Sequence, residues 1–172
     1  MLLAALKLQV AAFVTIAGVN TDDISNAAVK SILETLDKET IAAQTKSTND
    51  PTAVQQAAQK AFDEIKKLAD SADPDKDALY IMGLWSRTGL LSGASGEQVL
   101  AFYQKAADKG QILAKVELAQ LLLQNFPQDE TRVKQARTYL EEAEKANNNA
   151  ARFILANFHL NGQAGYAVDV PK

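Results

Sequence analysis

The 172-residue sequence contains no cysteine and a single histidine. Without thiols the chain has no disulfide bonds, no thiolate zinc or iron–sulfur site and no cysteine nucleophile. The one imidazole, that of His159, excludes a metal site built from several histidines. These absences remove many classes of enzyme. We therefore expect a protein without a cofactor, without a bound metal and without catalytic activity.

The sequence also has little excess charge of either sign. It carries 18 basic and 21 acidic residues, which gives a formal net charge of -3. A surface of this kind does not neutralise a phosphate backbone, so we expect no nucleic-acid partner. Apolar residues make up 47% of the chain, which is enough for a continuous core and excludes an intrinsically disordered protein.

The first 20 residues form an apolar segment that has more than one interpretation. Residues 2–19 are apolar except for three positions, and the stretch 10–19 is too short to cross a membrane, which takes about 20 apolar residues. Lys7 followed by the apolar stretch 8–16 resembles an export signal, which would make the protein periplasmic or secreted. Apolar residues at spacings of three and four are equally typical of an N-terminal helix, which would leave the protein cytoplasmic.

The remaining sequence predicts helices and turns, without alternating β-branched runs. Thr21 is a predicted helix cap, and the apolar stripe that follows it is formed by Ile24, Ala28, Ile32 and Leu36. The pairs Asp50-Pro51 and Asp73-Pro74 are also typical helix starts, because proline at the first helical position needs no hydrogen-bond acceptor. We interpret residues 21–75 as N-terminal helices that form a degenerate repeat or a cap.

From Ala78 onward the sequence repeats itself. The set Ala78, Met82 and Gly83 recurs after 36 residues as Ala114, Leu118 and Ala119, and after a further 37 as Ala151, Leu155 and Ala156. A second set also shifts by 37 residues: Val99, Phe102, Tyr103, Ala106 and Gly110 become Ala136, Tyr139, Leu140, Ala143 and Asn147. Two interleaved sets with one period predict stacked antiparallel helix pairs, an all-α fold of the right-handed superhelical type.

These repeats resemble the Sel-one-like repeat family, which is related to the tetratricopeptide repeat. The resemblance rests on residues 78–83, on the stretch 99–110 with its aromatic pair, lysine, two alanines and glycine, and on Ala114. It covers residues 76–172, in which the last repeat is incomplete. The family implies a bacterial α-solenoid that acts as a scaffold and binds a protein or peptide in its concave groove.

The resemblance also implies which residues line that groove. In tetratricopeptide-like packing, the groove residues lie three residues before, one residue after and four residues after the small residue at each helix crossing. The predicted groove residues are Tyr80, Leu84, Arg87, Val116, Gln120, Leu123, Phe153, Asn157 and Leu160. Their apolar members are equally suited to the core between helices. An exported hydrolase or a protein that binds a small cell-wall or β-lactam-like ligand is the alternative function on the same scaffold.

The incomplete last repeat carries an expectation of its own. The helix over residues 151–162 would have an apolar face without its own second helix. We expect that face to be covered by a second copy, which is self-association through this repeat, by the N-terminal segment or by further chain.

Overall fold

In the computed structural model, residues 21–45, 51–89 and 94–166 are described, and every regular element among them is helical. The all-α prediction is therefore confirmed for these ranges. The apolar segment over residues 1–20, with its predicted alternatives, lies outside them. A 3₁₀ turn at Thr21–Asp23 precedes the helices α1 (Ala27–Thr45), α2 (Pro51–Ala69), α3 (Lys76–Arg87), α4 (Gly96–Asp108), α5 (Ile112–Asn125), α6 (Glu130–Lys145) and α7 (Asn149–Asn161).

The chain divides into two compact units, one ending at Val99 and the other beginning at Leu100. Within the first unit α1 packs against α2, and α2 packs against α3. Within the second unit α5 packs against α6, and α6 packs against α7. The connections between these second-unit helices are short, as expected for antiparallel neighbours. None of the helices described here is both long and apolar enough to span a bilayer.

The first helix begins later than its sequence predicts. Thr21 is part of the 3₁₀ turn, and the cap of α1 is Asn26, whose Oδ1 accepts hydrogen bonds from the N–H groups of Ala28 and Val29. Asp77 of α3 fixes this start, because its carboxylate accepts the Ser25 hydroxyl at 2.8 Å and the Asn26 N–H at 2.7 Å. A contact between residues 51 positions apart therefore overrides the local capping signal.

The buried apolar stripe of α1 also differs from the predicted one. The buried residues are Ile24, Val29, Leu33, Leu36 and Thr40, whereas the predicted stripe member Ala28 is exposed and Ile32 is half-buried. The Thr40 hydroxyl reaches the Leu36 carbonyl at 2.7 Å, which satisfies its hydrogen bond inside the core.

The two aspartate–proline signals have different outcomes. Helix α2 begins at Pro51, as predicted. Helix α3 begins two residues after the predicted proline, because the side chain of Asp75 accepts the N–H groups of Asp77 and Ala78. Two aspartates lie within three residues of each other here, and only the second is placed to reach those donors.

The predicted repeat recurs in the hydrogen bonds of the helix ends. The caps of α3, α5 and α7 are Asp75, Gln111 and Asn148, which are separated by 36 and 37 residues. After α4, the Gln111 N–H bonds to the Ala106 carbonyl; after α6, the Asn148 N–H bonds to the Ala143 carbonyl, 37 residues on in both partners. Sequence positions that repeat therefore adopt the same local structure.

Positive backbone angles mark the same turns. Gly110 has φ +83°, and its counterpart Asn147 has φ +63°. Glycine and asparagine are the residues that most readily adopt the left-handed conformation that ends a helix, and both do so here. Burial repeats as well, since Tyr103 and Leu140 are fully buried, as are Ala106 and Ala143.

Candidate partner-binding face on helix α7

Helix α7 has apolar residues on two opposite sides. Ala151 and Leu155 are buried on the side that packs into the unit. On the opposite side the Phe153 side chain is 71% exposed and the Leu160 side chain is 60% exposed, with exposed Ala156 between them. Their spacing of three and four residues places these three side chains in one row along the helix. We call Phe153, Ala156 and Leu160 the α7 face.

Both ends of α7 are fixed by capping. At the N-terminus Asn148 Oδ1 accepts the Ala151 N–H at 3.0 Å. At the C-terminus Gly162 adopts φ +62°, and the next N–H, that of Gln163, bonds to the Phe158 carbonyl at 3.0 Å. The α7 face is therefore presented on a helix with defined ends rather than on a loop.

The corresponding positions of α5 are in a different environment. Val116, Ala119 and Leu123 occupy the repeat positions of Phe153, Ala156 and Leu160. The first two are 5% and 0% exposed, and Leu123 is half-buried. Helix α5 packs against α6, the helix that follows it. In the part of the chain that the structure describes, no helix follows α7. The α7 face thus has the apolar character of a buried helix surface, although it is exposed.

A cation lies beside the α7 face at a second repeated position. In α5 the Lys115 ammonium forms an ion pair with Glu142 of α6. Arg152 lies 37 residues after Lys115, and its guanidinium donates to the amide oxygens of Asn147 at 2.7 Å and Asn149 at 3.4 Å. Both acceptors are neutral, and among the described residues no carboxylate pairs with Arg152. The repeat therefore preserves the cation at this position, whereas within the described ranges a paired carboxylate is found for Lys115 and not for Arg152.

The segment after α7 folds back onto α6 through Tyr166. Its hydroxyl donates to Glu141 at 2.6 Å, and the Arg137 guanidinium lies 4.0 Å from the centre of its ring. Burial, followed by the hydrogen bond to Glu141, raises the pKa of the Tyr166 hydroxyl above its ordinary value. The ring of His159 lies 4.2 Å from that of Tyr166. The single histidine is thus part of an aromatic contact at the edge of α7.

The predicted groove residues differ in exposure. Tyr80, Leu84 and Arg87 belong to the first unit; the first two are buried, as the alternative core interpretation requires, and Arg87 is exposed. The other six belong to the second unit: Val116 is buried, Leu123 and Asn157 are half-buried, and Gln120, Phe153 and Leu160 are exposed. Of the nine predicted groove residues, Phe153 and Leu160 lie together on the α7 face and are exposed. The groove as a whole stays a prediction.

Arg152 is not among the candidate residues predicted from the sequence. The signal was present, since Arg152 lies one repeat after Lys115 and keeps its positive charge. The structure adds that Lys115 pairs with Glu142, which indicates that a cation at this repeat position can bind a carboxylate of a neighbouring helix. Within the described ranges, no group of three or more acidic or histidine side chains is arranged to bind a metal ion.

The chain matches no family model, no curated protein and no solved structure.

Proposed function

We propose that the protein is a non-enzymatic interaction module of the Sel-one-like repeat type, which binds another protein or a peptide. The exposed α7 face is the observation that carries this proposal. Phe153 and Leu160 are two of the three large apolar side chains that are exposed in the described part of the chain, and they lie on one helix. A helix that is apolar on two opposite sides is stabilised when both sides are buried.

The chemistry of the face supports a protein partner. A large aromatic side chain next to a small residue offers both an anchor and room for a second helix to approach. The polar groups at its edges are the guanidinium of Arg152 and the amide of Asn157, which suit hydrogen bonding at the rim of an interface. The His159 ring lies against Tyr166, and the Tyr166 hydroxyl donates to Glu141. These contacts give His159 a structural role, which is to hold the segment after α7 in place.

The proposal is tested by affinity capture from the native host with mass spectrometry. We expect the wild-type chain to retain a specific protein, and the double variant Phe153→Ser with Leu160→Ser to retain at least about tenfold less of it. Because both side chains are already exposed, the helical circular dichroism of the double variant should equal that of the wild type.

A matched control comes from α1, where Ile41 is 49% exposed. Ile41→Ser removes a comparable apolar side chain from another helix and should leave capture unchanged. Equal capture by the wild type and the double variant would show that the α7 face is not the binding surface.

A further inference from the structure

The α7 face has a counterpart in the same unit, because helix α5 packs against the chain's own helix α6 and Lys115 of α5 pairs with Glu142 of α6. The match includes the small residue, Ala119 against Ala156, and the cation, Lys115 against Arg152. From this correspondence we infer that the α7 face binds an acidic amphipathic helix of another polypeptide, and that a carboxylate of this helix pairs with Arg152.

The residues of α6 indicate what such a helix contains. Its fully buried residues are Ala136, Leu140 and Ala143, so small and medium apolar side chains lie at spacings of four and three. Glu142 stands beside this stripe and pairs with Lys115. A partner for α7 therefore has the same apolar spacing with an acidic residue directly before the last small one. Phe153 is larger than its counterpart Val116, so the partner needs a small residue opposite it.

Charge favours an acidic helix over a second copy of α7. The sequence of α7 contains Arg152 and His159 but no carboxylate, so two copies of this helix offer no anion to either guanidinium. A helix with the Glu142 pattern supplies that anion. The hydrogen bonds that Arg152 makes to Asn147 and Asn149 are to neutral acceptors on the surface, so their exchange for a charge-assisted bond is favourable.

This inference rests on the proposed function, because it names the chemistry of the partner for the same face. The probe is a fluorescently labelled peptide with the sequence of residues 129–147, which keeps the natural cap Asp129 and the whole of α6. Its binding to the full chain is measured by anisotropy. We expect saturable binding that Phe153→Ala with Leu160→Ala weakens at least about tenfold.

The ion pair is tested by exchanging its charges. Arg152→Glu in the protein should weaken binding of the natural peptide by roughly two- to fivefold, as for an exposed ion pair. A peptide with Glu142→Arg should bind the Arg152→Glu protein better than it binds the wild type. The matched control is Glu144→Arg, because Glu144 is exposed on α6 and the same change of net charge there should give no such recovery. Recovery that depends on position is not expected from a general charge effect or from altered folding.

Three results would overturn the inference. The first is the absence of peptide binding, and the second is binding that the charge exchange does not restore. The third is a wild-type dimer in sedimentation that the Phe153→Ala, Leu160→Ala variant dissolves, since a second copy would then be the occupant. If any of these occurs while capture from the host still depends on Phe153 and Leu160, the proposed function stands and only the acidic-helix partner is wrong.

Discussion

Individual residues in the second unit are fixed by polar contacts that no sequence pattern predicted. The Tyr139 hydroxyl accepts the side-chain amides of Gln104 at 2.7 Å and Gln135 at 3.0 Å, which ties α4 to α6. Tyr166 similarly holds the segment after α7 against Glu141 and Arg137. Such contacts depend on residues that are distant in sequence, whereas a helical pattern reports only neighbours at three and four positions.

The raised pKa of Tyr166 gives a prediction about stability in alkali. A group whose pKa is higher in the folded state stabilises the protein below its unfolded pKa, about 10 for tyrosine, and this contribution is lost as the pH rises through the folded pKa. We expect the unfolding free energy of the wild type to fall more between about pH 9 and 11 than that of Tyr166→Phe. Urea unfolding at each pH measures both slopes. Equal slopes would mean that the hydroxyl of Tyr166 makes no difference to folding in this range.

Individual helices were predicted most accurately where the signal was local. The start of α2 at Pro51 and the left-handed ends at Gly110 and Asn147 follow from backbone chemistry within a few residues. The start of α1 was wrong, because Asn26 is bonded to Asp77 of α3. The start of α3 was wrong by two residues, because Asp75 and not Asp73 caps it. Element ends are thus predictable where a single capping signal is present, and they shift where a second nearby capping residue or a distant side chain competes with it.

The turn after α4 gives a prediction at the scale of the element. Gly110 has φ +83°, and a Cβ atom placed there would meet nothing within 4 Å, so alanine would have room but an unfavourable backbone. Gly110→Ala should therefore destabilise the protein by about 1–2 kcal/mol, which is the cost of the left-handed conformation. Chemical unfolding followed by circular dichroism measures the loss.

Gly96 provides the control, since its Cβ position is equally open and its φ is not positive. Gly96→Ala at the start of α4 should be neutral or stabilising by up to about 1 kcal/mol. Equal losses for the two variants would contradict the explanation by backbone conformation.

At the scale of the whole chain, the sequence predicted the helical class and the repeat period more fully than it predicted the site. The repeat predicted which positions are equivalent, for example Val116 and Phe153, but not that one would be buried and the other exposed. That difference depends on which helices pack on each side. Tyr80 and Leu84 were assigned to a groove because of their register, and they are buried. Register therefore identifies candidates, and packing decides which of them reach solvent.

The central claim is that the α7 face binds another protein, and photochemical cross-linking in the native host tests it most directly. A benzophenone amino acid replaces Phe153 in one variant and exposed Thr138 of α6 in the other. We predict a cross-linked product that contains a second, different polypeptide when the reactive group is at position 153, and none at position 138. No product at position 153, or the same product at both positions, would contradict the claim.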